Sequence, residues 1–205
     1  MISLSAERLS KKFNSKTVFE GITIEHQHGV LGISGSNGSG KSTLLKCLAY
    51  LLRPNSGSIV WKNNEHLMNQ SQVKEHIGYV APYINLYAEL TIVENLAFLL
   101  EAGGNYADSG NISTLLERVQ LTKLSNQLFG SLSTGQQQRA KLAAALVHKP
   151  KILMMDEPGS NLDEVGHKMV RSIVETEAEK GTLIFLASND PNEISLCKRV
   201  INMTI

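Results

Sequence analysis

Apolar and polar residues alternate through the opening segments of the chain. "MISLSAERLS", "TVFEGITIEHQ" and "VLGISG" interleave Ser and Thr with Ile, Leu and Val. A period of two places the apolar set on one face, so these segments predict half-buried strands joined by polar turns. "VLGIS" is shorter and more apolar, and it breaks at once into glycines, as a central strand does. "KSTLLKCLAYLL" then takes up helical spacing and is expected to stop at Arg53 and Pro54. "GSIVWKNNE" reads as another strand with a turn after it, Trp61 packing at its end rather than recognising a ligand.

From about Tyr83 to Leu146 the pattern turns helical. "TIVENLAFLLEAG" opens with Thr91 and Glu94 at capping-box spacing and closes on Gly103 and Gly104. "ISTLLERVQL" follows, then "LSTGQQQRAKLAAALVHK", where Ser133 and Gln136 repeat the capping-box spacing. After Pro150 strands and helices alternate again. "KILMMDE" is a buried strand, Asp163 can cap a helix running to Gly181, and "TLIFLAS" is a further strand. "DPNEISLCKRV" is expected to be helical, with Asp190 as N-cap, Pro191 at the first helical position and Glu193 two later. A helical insert thus interrupts an α/β core.

Composition adds limits rather than direction. The 205 residues are 42% hydrophobic and 19% charged, which suits one sizeable core, or a core with a subdomain. Lys+Arg 20 against Asp+Glu 19 leaves a net charge of +1, so electrostatics supply no reason to expect nucleic acid or an acidic membrane as a primary partner. No apolar run reaches bilayer length, and "MISLSAERLSKKF" lacks the apolar stretch of a signal peptide, so a cytoplasmic location is expected. Cys47 and Cys197 lie far apart with no second ligand at metal spacing and read as free thiols. His26 and His28 share a strand face but make no metal site alone, and read as solvated edge residues.

The chemistry begins at "GSNGSGKST", residues 35 to 43, which fits G-x-x-x-x-G-K-[ST] through Gly35, Gly40, Lys41 and Ser42. The strand before and the helix after supply the context that a bare match lacks. Glycines let the backbone fold tightly enough for successive N–H groups to turn inward around anionic oxygens. The following helix adds the positive end of its dipole. Lys41 would reach the β- and γ-phosphates, and the Ser42 hydroxyl would ligate Mg²⁺. Ser36, Asn37, Gly38, Ser39 and Thr43 complete the cradle, so the chain is expected to bind a nucleoside triphosphate.

"ILMMDEP" puts Asp156 and Glu157 at the tip of an apolar strand. Alone, an Asp-Glu pair there is a common turn. Behind a phosphate loop, Asp156 can hold Mg²⁺ opposite Ser42, and Glu157 can orient the attacking water as general base. "LIFLASNDPNEI" ends a second apolar strand in Ser188, Asn189 and Asp190, at the edge where open α/β sheets hold their ligands.

With "LSTGQQQR" ahead of "ILMMDEP", the whole chain resembles the nucleotide-binding domain of ATP-binding cassette (ABC) transporters. "GSNGSGKST" is similar to the Walker A loop, "LSTGQ" to the signature motif, "ILMMDE" to Walker B and "GSNLD" to the D-loop. The resemblance implies a P-loop NTPase (RecA-like) core with an N-terminal antiparallel β subdomain and an inserted all-helical subdomain. It implies a single domain, with 1–82 and 146–205 forming the β subdomain plus core and 83–145 the helical subdomain that receives the transporter's coupling helix. Phe13 would stack on adenine, its plain reading being a core aromatic, and Val18 would lie against the ribose or base. Ser133, Gly135 and Gln136 would serve the ATP held by a second subunit, with Asp163 bridging the two sites as well as capping its helix. The partners implied are a second nucleotide-binding subunit, a homodimer, and a separate membrane permease that holds the chain on the inner face of the membrane.

Three positions depart from the family. The signature's first glycine is Thr134. The glutamine that senses Mg²⁺ and water after "IGYV" is Pro82, which has neither side-chain ligand nor N–H, with Asn85 a nearby substitute. The histidine after "TLIFLAS" is Asn189, which can donate one neutral hydrogen bond but carry no proton, or can merely help Asp190 cap the last helix. Slower ATP hydrolysis is expected from the last two. A soluble ABC ATPase of repair, chromosome or translation work stays open but lacks its usual coiled coils or second cassette. So does a clamp or adaptor driven by ATP binding. The short length and altered positions are weakly similar to the ATP-binding subunits of haem-exporter-like systems in cytochrome c maturation. Cargo and direction are not written in this chain.

Overall fold

In the computed structural model, residues 1–104 and 109–203 are described; the expected 83–145 and 146–205 segments run through residues 105–108 and 204–205, which lie outside them. The alternating N-terminal segments form strands β1 (Ile2–Phe13), β2 (Lys16–His26), β4 (Ser56–Asn63) and β5 (His66–Met68), joined in one antiparallel sheet of order β2-β1-β4-β5. The more apolar segments form β3 (Val30–Ser34), β6 (Ile77–Val80), β7 (Ile152–Asp156), β8 (Leu183–Ser188) and β9 (Arg199–Asn202). These make a wholly parallel sheet of order β6-β7-β8-β3-β9.

Strands buried on both faces need apolar residues on both, and β7 and β8 have them up to their last residues, Asp156 and Ser188. Their side chains alternate between two cores. Ile152, Met154, Leu183 and Phe185 face the antiparallel sheet and helix α1 (Lys41–Leu48). Leu153, Met155, Ile184 and Leu186 face helices α3 (Ile92–Ala102), α4 (Ser109–Arg118), α5 (Thr134–Leu146) and α6 (Glu164–Glu179). Trp61 sits wholly inside the first core, its indole N–H donating to the Leu48 carbonyl at 3.0 Å, so it packs as expected and closes the end of α1.

Several local expectations change. α1 ends at Leu48 rather than at Arg53, because Tyr50 takes a positive φ of 55° and turns the chain out of the helix. A short helix, α2 (Gln70–Glu75), enters through a capping box between Asn69 and Gln72. The stretch from Ala81 to Leu90 is loop rather than helix. The expected final helix is one turn, α7 (Pro191–Ile194), and Arg199–Asn202 instead pairs parallel to β3 as β9. His26 is not a solvated edge residue. It is 4% exposed, its Nε2 bonds the Ile184 carbonyl at 3.2 Å, and burial pushes its pKa down to about 4. Cys47 and Cys197 are free thiols, each pushed up to about 11, chiefly by burial.

Candidate functional site

Three parallel strands deliver the site's chemistry at their carboxyl ends: β3 leads into the phosphate loop, β7 ends in Asp156 and β8 ends in Ser188. The loop turns on Gly40, which caps α1 at φ 98° with no side-chain cap. A Cβ there would lie 2.6 Å from the Val18 Cγ1, so both backbone angle and space require glycine. The first turn of α1 therefore opens toward the loop without a competing side chain. Lys41, only 5% exposed, reaches back across the loop. Its Nζ donates to the carbonyls of Gly35 at 2.8 Å and Ser36 at 3.2 Å, and pairs with Glu157 Oε1 at 3.1 Å.

Beside this loop lies a cleft of about 390 Å³ lined by Phe13, Val18, Asn37, Gly38, Gly40, Lys41, Ser42, Thr43 and Glu157, among others. Phe13 is 49% exposed at the β1–β2 turn, with the Lys11 ammonium 4.9 Å from its ring centre, so it is not a core aromatic. An exposed flat ring beside a phosphate loop suits a purine base.

Asp156 is 1% exposed and neither of its carboxylate oxygens has a hydrogen-bond partner. Burial shifts its pKa upward; the Ser42 hydroxyl, near but outside hydrogen-bond geometry, opposes that shift. A buried, unpartnered carboxylate next to a hydroxyl is a hard-oxygen pair that fits Mg²⁺. Glu157 follows in the left-handed region, φ 47°, its N–H donating to the Ala187 carbonyl at 2.8 Å. That turn swings its side chain toward Lys41 and the Ser188 hydroxyl, which donates to Oε2 at 3.4 Å.

Asn189 does not cap α7; Asp190 does so alone, accepting from Asn192 N–H at 2.8 Å. The Asn189 amide instead donates to Asn37 Oδ1 at 3.1 Å, tying the tip of β8 to the phosphate loop. Both line a second cleft of about 410 Å³ with Pro82, Glu157 and Ser160. Pro82 offers only its carbonyl, which accepts from Lys141 Nζ at 2.9 Å, and Asn85 stays exposed. The next aromatic is better placed: the Tyr83 hydroxyl lies 2.9 Å from that of Tyr79 in β6. Burial raises both phenols, Tyr83 to about 12, and the Asp156 carboxylate adds to the rise.

The other group stands apart, since neither cleft includes Ser133, Gly135 or Gln136. Ser133 caps α5 through the expected box, accepting from Gln136 N–H at 3.3 Å while Gln136 Oε1 accepts from Ser133 N–H at 2.9 Å. Asp163 caps α6 and takes a second bond from Arg139 of α5 at 3.1 Å. The buried Gln138 donates to the Pro158 carbonyl at 3.0 Å. α5 is thus bonded directly to the segment that follows Walker-type residues Asp156 and Glu157.

Sequence reasoning missed Asn95, Gln138, Lys141 and the tyrosine pair. Asn95 had a signal: it sits between Ile92 and Leu96 on the apolar face of α3. It is buried and bonds the loop at Tyr87, Leu90 and Thr91.

A profile of the family described as ABC transporter matches residues 21–160. The chain belongs to the ABC transporter family. It is 34% identical to the uncharacterized ABC transporter ATP-binding protein YdbJ of Bacillus subtilis strain 168, over 97% of this chain and 65% of that relative. It is 33% identical to the lipoprotein-releasing system ATP-binding protein LolD of Leptospira interrogans, over 98% of this chain and 88% of that one. Its fold superposes on the dimeric structure of the bacterial ABC transporter cassette MJ0796 with a TM-score of 0.80 and 25% identity, covering 99% of this chain and 94% of that one. The two sheets and the helices around them are therefore the ABC ATPase arrangement of the P-loop NTPase fold. No helix among the described residues of this cassette is long and apolar enough to cross a membrane.

Proposed function

We propose that this cassette binds Mg²⁺ and ATP beside its phosphate loop and hydrolyses the ATP as one half of a homodimer that drives a separate membrane permease. The observation that carries the reading is the buried, unpartnered Asp156 beside Ser42, with Lys41 and Glu157 paired across the loop. Phe13 stacks on adenine, Val18 lies against the ribose or base, and residues 36 to 43 cradle the phosphates. Lys41 exchanges its contacts with Gly35 and Ser36 for the β- and γ-oxygens. Ser42 and Asp156 would hold Mg²⁺, which would supply positive charge to the phosphate groups. Glu157 orients a water toward the γ-phosphorus and accepts its proton. As the new P–O bond forms, the β–γ bridge breaks and the electron pair leaves with ADP.

Ser133, Gly135 and Gln136 act in trans, the N-terminus of α5 meeting the γ-phosphate held by the other copy. Asp163 joins the two sites. In this reading 83–145 is the helical subdomain that docks on the permease, and 1–82 with 146–205 is the nucleotide-binding body. The chain sits on the cytoplasmic face through that permease. Hydrolysis is slower than in a standard cassette, because Pro82 removes one sensor and Asn189 replaces an imidazole with a neutral amide.

Glu157→Gln tests the reading, with dimer formation followed by light scattering and phosphate release by a coupled assay. Loss of the general base lowers hydrolysis by about 10²- to 10⁴-fold and leaves an ATP-locked dimer. A parent chain that forms the dimer but never releases phosphate is a clamp rather than a motor. A chain that ATP leaves monomeric in both forms refutes the proposal.

A further inference from the structure

The tip of β6 carries Pro82 where the family resemblance leads one to expect an amide, and a tyrosine, Tyr83, follows it. Strands β6 and β7 pair in parallel, with Val80 opposite Met155, so the residues after Val80 emerge next to Asp156. Tyr79 in β6 holds the Tyr83 hydroxyl at 2.9 Å, and Lys46 of α1 covers the Tyr83 ring with its ammonium 3.9 Å from the centre. Lys141 fixes the turn between them through the Pro82 carbonyl at 2.9 Å. Three elements thus hold one phenol in place, and its partner Tyr79, paired with Met154, lies on the same face of the sheet as Asp156 two residues further along β7. Tyr83 is itself 47% exposed, as Asn85 two residues on is exposed; what sets Tyr83 apart is its contact with Tyr79 and Lys46.

We infer that the Tyr83 hydroxyl, held by Tyr79 and Lys46, takes over the place of the absent amide and orients the water shell of the divalent cation carried by Asp156 and Ser42. A phenol both donates and accepts, and it is neutral at working pH. It can therefore bond a carboxylate oxygen or a cation-bound water without adding charge to the site. Groups in this outer position fix the direction of the ligands and the waters they touch. Tyr83 is a positioning residue, and its role rests on the Mg²⁺-ATP reading above.

The test uses the full chain carrying Glu157→Gln, loaded with ATP, and Mn²⁺ as a paramagnetic probe that accepts the same oxygen ligands. Tyr83→Phe keeps the ring under Lys46 and removes only the hydroxyl. It is expected to weaken Mn²⁺ binding to the ATP-loaded chain by about tenfold while metal-free ATP binding stays unchanged. Asn85→Ala is expected to alter neither. Placing Pro82→Gln in the Tyr83→Phe chain restores the Mn²⁺ affinity. Equal Mn²⁺ affinity in the Tyr83→Phe and parent chains overturns the inference and leaves the proposed function standing. A parent that binds no ATP, with or without metal, overturns both.

Discussion

Helices α1 and α5 both begin at motifs suited to phosphate, but their N-termini are finished differently. α1 starts from a glycine with no side-chain cap, whereas α5 starts from Ser133 inside a closed capping box. An uncapped N-terminus leaves its donors for a ligand and depends on backbone shape. A boxed one has already satisfied the N–H groups of Ser133 and Gln136. The α1 terminus therefore leaves its first-turn donors free of any side-chain cap, whereas the α5 terminus has two of its N–H groups already bonded and is a stable surface of this chain.

The sharpest way to break the contrast is at Gly40. Gly40→Ala forces a Cβ into φ 98° and against Val18. Strain of about 1 to 3 kcal/mol plus displacement of the loop should lower ATP affinity by roughly a hundredfold, read by calorimetry. The same strain lowers thermal stability, by roughly 2–4 °C in Tm per kcal/mol for a chain of this size, while the fold itself persists because the loop's own residues lie outside both apolar cores. A Gly40→Ala chain with parental ATP affinity would mean that the phosphates lie elsewhere.

Ser133→Ala should do the reverse. Loss of the cap costs about 1 kcal/mol, or roughly 2–4 °C in Tm for a chain of this size, and ATP affinity of the monomer stays as it was. Hydrolysis falls by about tenfold or more, the loss of donors to developing charge. Mixing this variant with Lys41→Ala restores one intact site in each mixed dimer, roughly a quarter of parental activity with random pairing in a two-fold assembly. No recovery on mixing would place the action of Ser133 within its own chain.

The same contrast explains what the sequence could disclose. Caps at Thr91, Ser133, Asp163 and Asp190 were legible because a cap joins residues two or three apart. The phosphate loop was legible for the same reason. β9 was not: Arg199 pairs with Leu31, and nothing in "SLCKRV" states that a distant strand edge is open to it. His26 was misread because its partner, the Ile184 carbonyl, lies 158 residues away. That the tip of β6, with the Tyr79–Tyr83 pair, lies next to the strand carrying Asp156 depends on β6 and β7 being neighbours, a matter of strand order. Asn189 was visible as an odd strand end, but its bond to Asn37 required the fold.

That bond sets the smallest expected effect. Asn189 and Asn37 satisfy one another by a single neutral hydrogen bond in an exposed setting, and such bonds contribute about 0.5–1.5 kcal/mol. Asn189→Ala should lower hydrolysis by two- to tenfold, and Asn37→Ala should share part of that loss, so the double variant falls short of the product. Asn189→His supplies a donor that can carry charge and should raise turnover by a few-fold without changing ATP affinity. Steady-state phosphate release measures both. An unchanged rate in Asn189→Ala would make the tie to Asn37 a purely structural link between β8 and the phosphate loop, and slow hydrolysis would then have to come from the tip of β6, where a phenol stands in for an amide.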